Sequence, residues 1–196
     1  MSKESLKSFL AALTLVAVLL FSYQKINSES SFDPFSTELN SQDGKVFLKD
    51  LKKDKITLLY FGFLACPDVC PTTLSTMSSL FKNLSKEKLD KINFIFIGLD
   101  QERDSLDEMK TYVSHFHPKI IPVIVPIEML ESFARYFGVV FSKVPLKSQM
   151  GYTIDHSTQV VVLSPDGKIL TPILHTYSKP LILSQVNQLL KDYFSL

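Results

Sequence analysis

The sequence predicts an α/β protein with a central mixed sheet and helices on both faces. Two continuous apolar runs, residues 56–63 (ITLLYFGF) and 92–99 (INFIFIGL), are typical of buried central strands. The chain between them has apolar residues at helical spacing, so strand and helix alternate. Ser164-Pro165-Asp166-Gly167 predicts a tight turn between two later antiparallel strands. Alternation followed by a hairpin favours a mixed sheet covered by helices.

The N-terminus carries a long uncharged segment. Residues 8–24 (SFLAALTLVAVLLFSYQ) follow Lys3 and Lys7 and precede Lys25, which is the layout of an export signal or a signal anchor. As a helix this segment would extend about 25 Å, at the low end for crossing a bilayer. Because neither an Ala-x-Ala cleavage site nor a Cys follows it, we expect residues 1–24 to stay as an N-terminal membrane helix with the domain outside.

A polar tether and then a turn follow the uncharged segment. Residues 25–42 are polar and rich in Ser, which predicts a tether leading into an extended edge segment. Gln42-Asp43-Gly44-Lys45 is a turn signal across which residues 46–48 are able to pair. We expect residues 43–196 to form one domain, because a chain of this length buries a sizeable core.

Four stretches of the domain have helical spacing of apolar residues. The first begins at Pro71, since proline is favoured in the first turn, and continues to Leu84. The other three are residues 105–116, 127–137 and 180–194. Strands are predicted at residues 120–125, weakened by Pro122, and on either side of the 164–167 turn at 159–163 and 168–174. Parallel strands joined by a helix, then a hairpin and a last helix, form a thioredoxin-like pattern.

The bulk composition excludes several classes of function. The net charge is +1, with 45% hydrophobic and 21% charged residues, as in ordinary globular proteins. A nearly neutral chain without basic runs argues against nucleic acid as a partner. Two cysteines do not build a disulfide scaffold. A close, isolated pair instead indicates a redox or metal site.

The most informative stretch joins the first buried strand to the helix that follows it. It reads YFGFLACPDVCP over residues 60–71 and places Cys66 and Cys70 at the start of the helix. Sites in open α/β sheets lie at the carboxyl ends of strands, and the N–H groups of a helix start stabilise thiolates. Residues four apart share one helix face, so the two sulfurs can form a disulfide or bind one soft ion such as Cu(I).

This stretch resembles the signature of the Sco/SenC family, whose copper proteins assemble cytochrome c oxidase. That family completes its metal site with a distant His in an Asp-His pair, matched here by Asp155 and His156 before the predicted strand 159–163. Further matches are GLDQERD at residues 98–104, Tyr112-Val113 and FARYFGV at 133–139. Two residues depart from the family pattern: Ala65 stands where many relatives have a polar residue, and Gln101 replaces a common Pro.

The resemblance implies a membrane-tethered thioredoxin-like protein that binds copper as Cu(I), with Cu(II) as a second state. The implied metal ligands are Cys66, Cys70 and His156, and the two cysteines would also form a redox disulfide. The implied partner is the copper-carrying subunit of cytochrome c oxidase or another copper chaperone. We expect mainly a metallochaperone that delivers copper to, or maintains the thiols of, the copper centre of the oxidase, with thiol-disulfide oxidoreductase activity left open. No catalytic residue is assigned, and the domain is expected on the periplasmic side of a bacterial inner membrane.

The alternative hypothesis is a membrane-anchored thiol-disulfide oxidoreductase without copper delivery, in which Cys66 attacks and Cys70 resolves. His156 favours copper, because a simple dithiol reductase does not need it. A peroxidase of the peroxiredoxin kind is the weakest hypothesis, because residues 63–65 lack the expected Thr. The role of Asp155 is left open: it either orients the ring of His156 or is only a turn residue.

Other charged residues near the motif matches have structural interpretations. Asp68 either caps the helix or adds charge beside a bound ion, and the sequence favours neither. Arg103 is expected to form a structural ion pair with Asp100 and Asp104 rather than a partner-binding patch.

Overall fold

The computed structural model describes Thr14, residues 32–51 and residues 53–196. The chain divides into two compact units, residues 1–33 and 34–196, and the second unit holds all the elements below. Apart from Thr14, the predicted membrane segment at residues 8–24 lies outside the described residues, so the anchor remains a prediction. Among the described residues, none of the helices has the length and apolar character needed to cross a bilayer.

A seven-stranded mixed sheet forms the centre of the domain. The strands of this sheet are β1 Glu38–Ser41, β2 Gly44–Phe47, β3 Ile56–Gly62, β4 Ile92–Gly98, β5 Ile120–Ile124, β8 Val160–Leu163 and β9 Ile169–Ile173. They lie in the order β2-β1-β5-β4-β3-β8-β9. The central strands β3, β4 and β5 are parallel, while β1, β2, β8 and β9 pair antiparallel to their neighbours. The predicted mixed sheet is therefore confirmed.

The strands form where the apolar runs predict them. All seven residues of β3 are buried, and its register with β4 runs from Ile56 opposite Ile92 to Gly62 opposite Gly98. Continuous burial is expected of parallel strands with helices on both faces. Pro122 is accommodated in β5 because β1 pairs only with the two residues after it.

Six helices pack against the sheet or connect its strands. They are α1 Leu48–Leu51, α2 Val69–Lys82, α3 Lys86–Asp90, α4 Leu106–Ser114, α5 Ile127–Tyr136 and α6 Lys179–Phe194. Helices α2, α4 and α6 bury their apolar residues in one core cluster. Helix α5 covers the opposite face, where Phe133 packs on Phe61 of β3 with ring centroids 6.3 Å apart. The predicted placement of helices on both faces is thus confirmed.

A two-stranded antiparallel ribbon forms a second sheet, which the sequence did not predict. It consists of β6 Phe141–Pro145 and β7 Tyr152–His156, with Phe141 opposite His156. Only Ile154 of its ten residues is buried. The residues from Tyr152 to Asp155 alternate apolar and polar, which is a strand signal, whereas Phe141–Pro145 shows no such pattern. We refer to these two strands as the ribbon.

Candidate metal centre

Cys66 and Cys70 lie on either side of the start of α2. The chain leaves β3, and the Cys66 N–H donates to the carbonyl oxygen of Phe63 at 3.3 Å. The backbone N–H of Leu64 donates to Oδ2 of Asp104 at 2.8 Å, which ties this loop to the chain after β4. Cys70 lies in the first turn of α2, and its N–H donates to Sγ of Cys66 at 3.4 Å. Both cysteines are free thiols.

His156 is the last residue of β7, and its ring faces the sulfur of Cys70. The distance from Nε2 of His156 to Sγ of Cys70 is 3.7 Å. Its Nδ1–H donates to the carbonyl oxygen of Ser157 at 2.8 Å. Because a carbonyl oxygen only accepts, this bond keeps the proton on Nδ1 and leaves the lone pair on Nε2. The backbone thus orients the ring, a role that the sequence left open for Asp155, which is exposed.

The fold brings the three predicted ligands together. One ligand atom each of Cys66, Cys70 and His156 lies within 4.8 Å of the others. Two sulfurs and an imidazole nitrogen form a soft donor set that fits copper. Within the part of the chain that the structure describes, this is the one group of three side chains suited to a metal ion.

The two sulfurs differ in protonation. The hydrogen bond from the Cys70 side chain, helped by the backbone N–H of Cys70, lowers the pKa of Cys66 to about 5. The same hydrogen bond, together with burial, raises the pKa of Cys70. Cys70 is fully buried, whereas Cys66 is partly exposed. The pair therefore holds one proton on the inner sulfur and presents a thiolate on the outer one.

Two residues that the sequence did not single out shape this site. A Cβ on Gly62 would lie 2.8 Å from a ring carbon of Phe96 and 3.1 Å from Sγ of Cys70, so only glycine leaves room for this sulfur. The ring of Phe63 packs edge-on against His156 with centroids 5.9 Å apart. No sequence signal separated them from the surrounding apolar run.

A surface depression lies beside the imidazole. It is lined by Val140, Phe141, Ser142, Asp155, His156 and Ser157. Val140 is 68% exposed there. A group on another protein has access to His156 from this side.

Fold and site together define a class: a thioredoxin-like domain with a helix-start dithiol and an imidazole from a separate ribbon. The family model described as SCO1/SenC matches residues 26–191. This match covers most of the chain, and the chain belongs to the SCO1/SenC family. The predicted family is therefore confirmed.

Curated relatives carry names of the same family. An SCO2-like protein of Rickettsia conorii is 35% identical over 134 residues, covering 68% of this chain and 65% of its own length. The mitochondrial protein SCO2 of Saccharomyces cerevisiae is 31% identical over 161 residues, covering 82% of this chain and 53% of its own length. This chain thus spans less than two thirds of these relatives.

Solved structures share the fold. Copper-bound ScoI of Bradyrhizobium japonicum superposes with a TM-score of 0.69 at 31% identity, covering 78% of this chain and 96% of that chain. Apo Sco1 of Thermus thermophilus gives a TM-score of 0.71 at 28% identity, covering 80% and 91%. Copper-bound yeast Sco1 gives 0.71 at 27% identity, covering 80% and 87%. These likenesses confirm the thioredoxin-like α/β fold.

Proposed function

We propose that this protein binds copper through Cys66, Cys70 and His156 and helps to load the copper centre of cytochrome c oxidase. The observation that carries the proposal is the convergence of two sulfurs and one imidazole nitrogen within 4.8 Å. Copper-bound relatives of the same fold, together with this cluster, support copper as the metal. The tautomer of His156 agrees with this role, since its Nε2 lone pair faces the sulfurs.

The donor set suits both oxidation states of copper to different degrees. Two thiolates hold Cu(I) in a low-coordinate site, and loading requires that Cys70 give up its proton. The imidazole matters more for Cu(II), which prefers nitrogen ligands and a higher coordination number. Cys66 is already ionised near neutral pH and partly exposed, so it makes the first contact with the incoming ion.

A second function, reduction of a target's disulfide, is favoured by the asymmetry of the two thiols. The Cys66 thiolate would attack the target disulfide, forming a mixed disulfide and releasing one target thiolate. Cys70, after losing its proton, would then displace the second target thiolate and form the Cys66–Cys70 disulfide. The target is reduced by two electrons, and this protein is oxidised by two. Such chemistry would keep a copper-receiving protein's cysteines reduced.

We propose that the domain is tethered at a membrane surface. The motivation is the uncharged segment at residues 8–24 between flanking lysines, which predicts a retained anchor. The polar residues 25–42 would then act as a tether that lets the site reach the copper-carrying subunit of the oxidase or another copper chaperone. Membrane fractionation with N-terminal sequencing tests this placement, and a soluble product beginning after residue 24 would contradict the anchor.

The variant His156→Ala separates copper binding from dithiol chemistry. Substituting a residue that only hydrogen-bonds to a metal ligand typically lowers metal affinity 10- to 100-fold. We expect Cu(II) affinity to fall by more than this, because a direct ligand is lost. Cu(I) affinity should fall less, since two thiolates remain. The rate of disulfide exchange should stay close to that of the wild type. Competition titrations with Cu(I) and Cu(II) and a dithiol exchange assay measure these quantities.

The matched control is His175→Ala, because His175 is exposed and its Nδ1 lies 2.8 Å from the hydroxyl oxygen of Thr158. This control should leave all three measurements unchanged. If His156→Ala retains copper and loses disulfide exchange instead, the histidine is an acid-base residue and the copper proposal is wrong.

A further inference from the structure

The three candidate ligands come from two parts of the chain, which the main sheet brings near each other because β8, shortly after His156, pairs with β3. Cys66 and Cys70 follow β3, whereas His156 ends the ribbon, a sheet separate from the seven-stranded one. The ribbon itself shares no strand pairing with the main sheet, so other contacts hold it beside the cysteine loop. Side-chain contacts of the segment after β4, residues 100–104, are among them.

We propose that Arg103, together with Asp100 and Tyr152, is a positioning residue for His156: it fixes the ribbon, and with it the third ligand, against the edge of the main sheet. The inference rests on the proposed copper site and adds to it a set of residues that touch no ligand atom.

The planar guanidinium group of Arg103 binds the start of β7. Its Nη1 donates to the carbonyl oxygens of Tyr152 at 3.0 Å and Met150 at 3.3 Å. The guanidinium carbon also lies 3.8 Å from the centre of the Tyr152 ring. Stacking and a forked set of donors are properties of Arg that Lys does not share. The ribbon therefore depends on this side chain for both backbone and ring contacts.

Asp100 anchors the other end of this connection. Its side chain is buried, with the residue only 1% exposed. Oδ2 accepts from Nε of Arg103 at 2.6 Å, and Oδ1 accepts from the hydroxyl of Tyr152 at 2.7 Å. A buried carboxylate needs such partners, so both bonds are held in place by the cost of leaving the charge unpaired. Asp100 follows β4 by two residues and thus fixes Arg103 to the main sheet.

The same turn of chain also holds the cysteine loop. The backbone N–H of Asp104 donates to the carbonyl oxygen of Asp100 at 2.8 Å, and the Asp104 carboxylate accepts from the N–H of Leu64. Residues 100–104 therefore contact both ligand-bearing segments. On the ribbon side, the paired strands carry this constraint from Tyr152 to His156, a length of about 13 Å at 3.3 Å per residue.

Exposed contacts of the ribbon contribute less. Lys143 pairs with Glu102 at 2.6 Å, and both side chains are about half exposed or more. Ion pairs of this kind are worth little in water. The set formed by buried Asp100 with the partly buried Arg103 and Tyr152 is the connection whose loss should be measurable.

The test is a double-mutant cycle on Cu(II) affinity. Arg103→Lys, made in the full chain, keeps the positive charge and removes the planar set of guanidinium donors. We expect Cu(II) affinity to fall about tenfold. In the His156→Ala background the same substitution should change affinity by less than about twofold, because the positioned ligand is already gone. Hydrogen exchange of the metal-free protein should show faster exchange in β7 with Arg103→Lys.

Two further variants control the experiment. Tyr152→Phe keeps the stacked ring and removes the hydroxyl bonds to Asp100 and, at 3.4 Å, to Glu102, so it should fold and show a smaller loss of the same kind. Arg135→Lys makes the same exchange at an exposed ion pair with Glu131 and should change nothing.

Each outcome bears on one proposal or the other. Equal losses in both backgrounds would mean that Arg103 supports the whole fold, and would overturn the inference. If Arg103→Lys and Tyr152→Phe both keep wild-type affinity while His156→Ala loses it, the inference fails and the copper site stands. If His156→Ala itself keeps full affinity, the ligand assignment fails and the inference falls with it.

Discussion

The two cysteines show how neighbouring residues of one type acquire different chemistry. The sulfur of Cys70 is buried and donates a hydrogen bond, while that of Cys66 is partly exposed and accepts one from the Cys70 backbone at 3.4 Å. The pKa of Cys66 is lowered and that of Cys70 is raised for the same reason, their shared proton. The sulfur of Cys66 is therefore the more nucleophilic of the pair, and that of Cys70 stays protonated.

The pH profile of alkylation tests this asymmetry at the residue scale. Because the pKa of Cys66 is lowered to about 5, its thiolate should persist, and iodoacetamide should react, down to about pH 5. An ordinary cysteine loses reactivity below about pH 8.5. Cys70→Ala removes the donor side chain, so the midpoint should move upward. Cys70→Ser keeps a hydroxyl donor and should move it less.

Peptide mapping of the alkylated product identifies the modified sulfur. A midpoint that is the same in Cys70→Ala and the wild type would show that the inner side chain does not stabilise the thiolate.

At the scale of elements, β3 and β4 end in glycines that stand opposite each other but have different neighbours. A Cβ on Gly62 would press on the Phe96 ring and on Sγ of Cys70. A Cβ on Gly98 would lie 2.8 Å from Sδ of Met109. A methionine side chain has several rotatable bonds and adapts, whereas an aromatic ring and a helix-start sulfur do not. The same substitution at paired positions thus probes the site and the core separately.

Gly62→Ala should lower the free energy of unfolding by about 1–3 kcal/mol, as overpacking does. It should also shift the alkylation midpoint of Cys66 and weaken copper binding, because the sulfur of Cys70 is displaced. Gly98→Ala should cost less and leave both site measurements unchanged. Urea unfolding, alkylation and copper titration of the two variants give the comparison. Site properties altered equally by both variants would argue against a specific role of Gly62.

At the scale of the whole molecule, copper binding should raise the free energy of unfolding. With free Cu(I) at a hundred times the dissociation constant, the reduced protein should gain about 2.7 kcal/mol. For a domain of this size that is a rise of about 5 to 10 °C in Tm. Oxidation to the Cys66–Cys70 disulfide removes both thiolates, so the oxidised protein should show no such rise. Calorimetry of the two forms decides, and an equal rise in both would contradict the cysteine ligands.

Most of the fold could be predicted from its sequence because its central strands are buried on both faces. The run from Ile56 and the run from Ile92 need no long-range information to be recognised as strands. The ribbon was not predicted although Tyr152 to Asp155 alternates apolar and polar residues, because its other strand has no such pattern and only one ribbon residue is buried. Of the candidate site, spacing and resemblance predicted the cysteines and His156, but the contact of Ser157 with the ring depends on tertiary geometry.

The separation of the ribbon from the main sheet has a kinetic consequence for a bound ion. The ribbon is held to the main sheet by side-chain contacts rather than by strand pairing, so we expect it to open at a lower free energy than the core. If copper is bound as proposed, each opening would withdraw the imidazole while both sulfurs stay beside β3 and α2, and a ligand of a receiving protein could then take the free coordination position. The residence time of copper would then be set by the rate at which the ribbon opens locally. A thermally stable core would be compatible with rapid transfer of the ion.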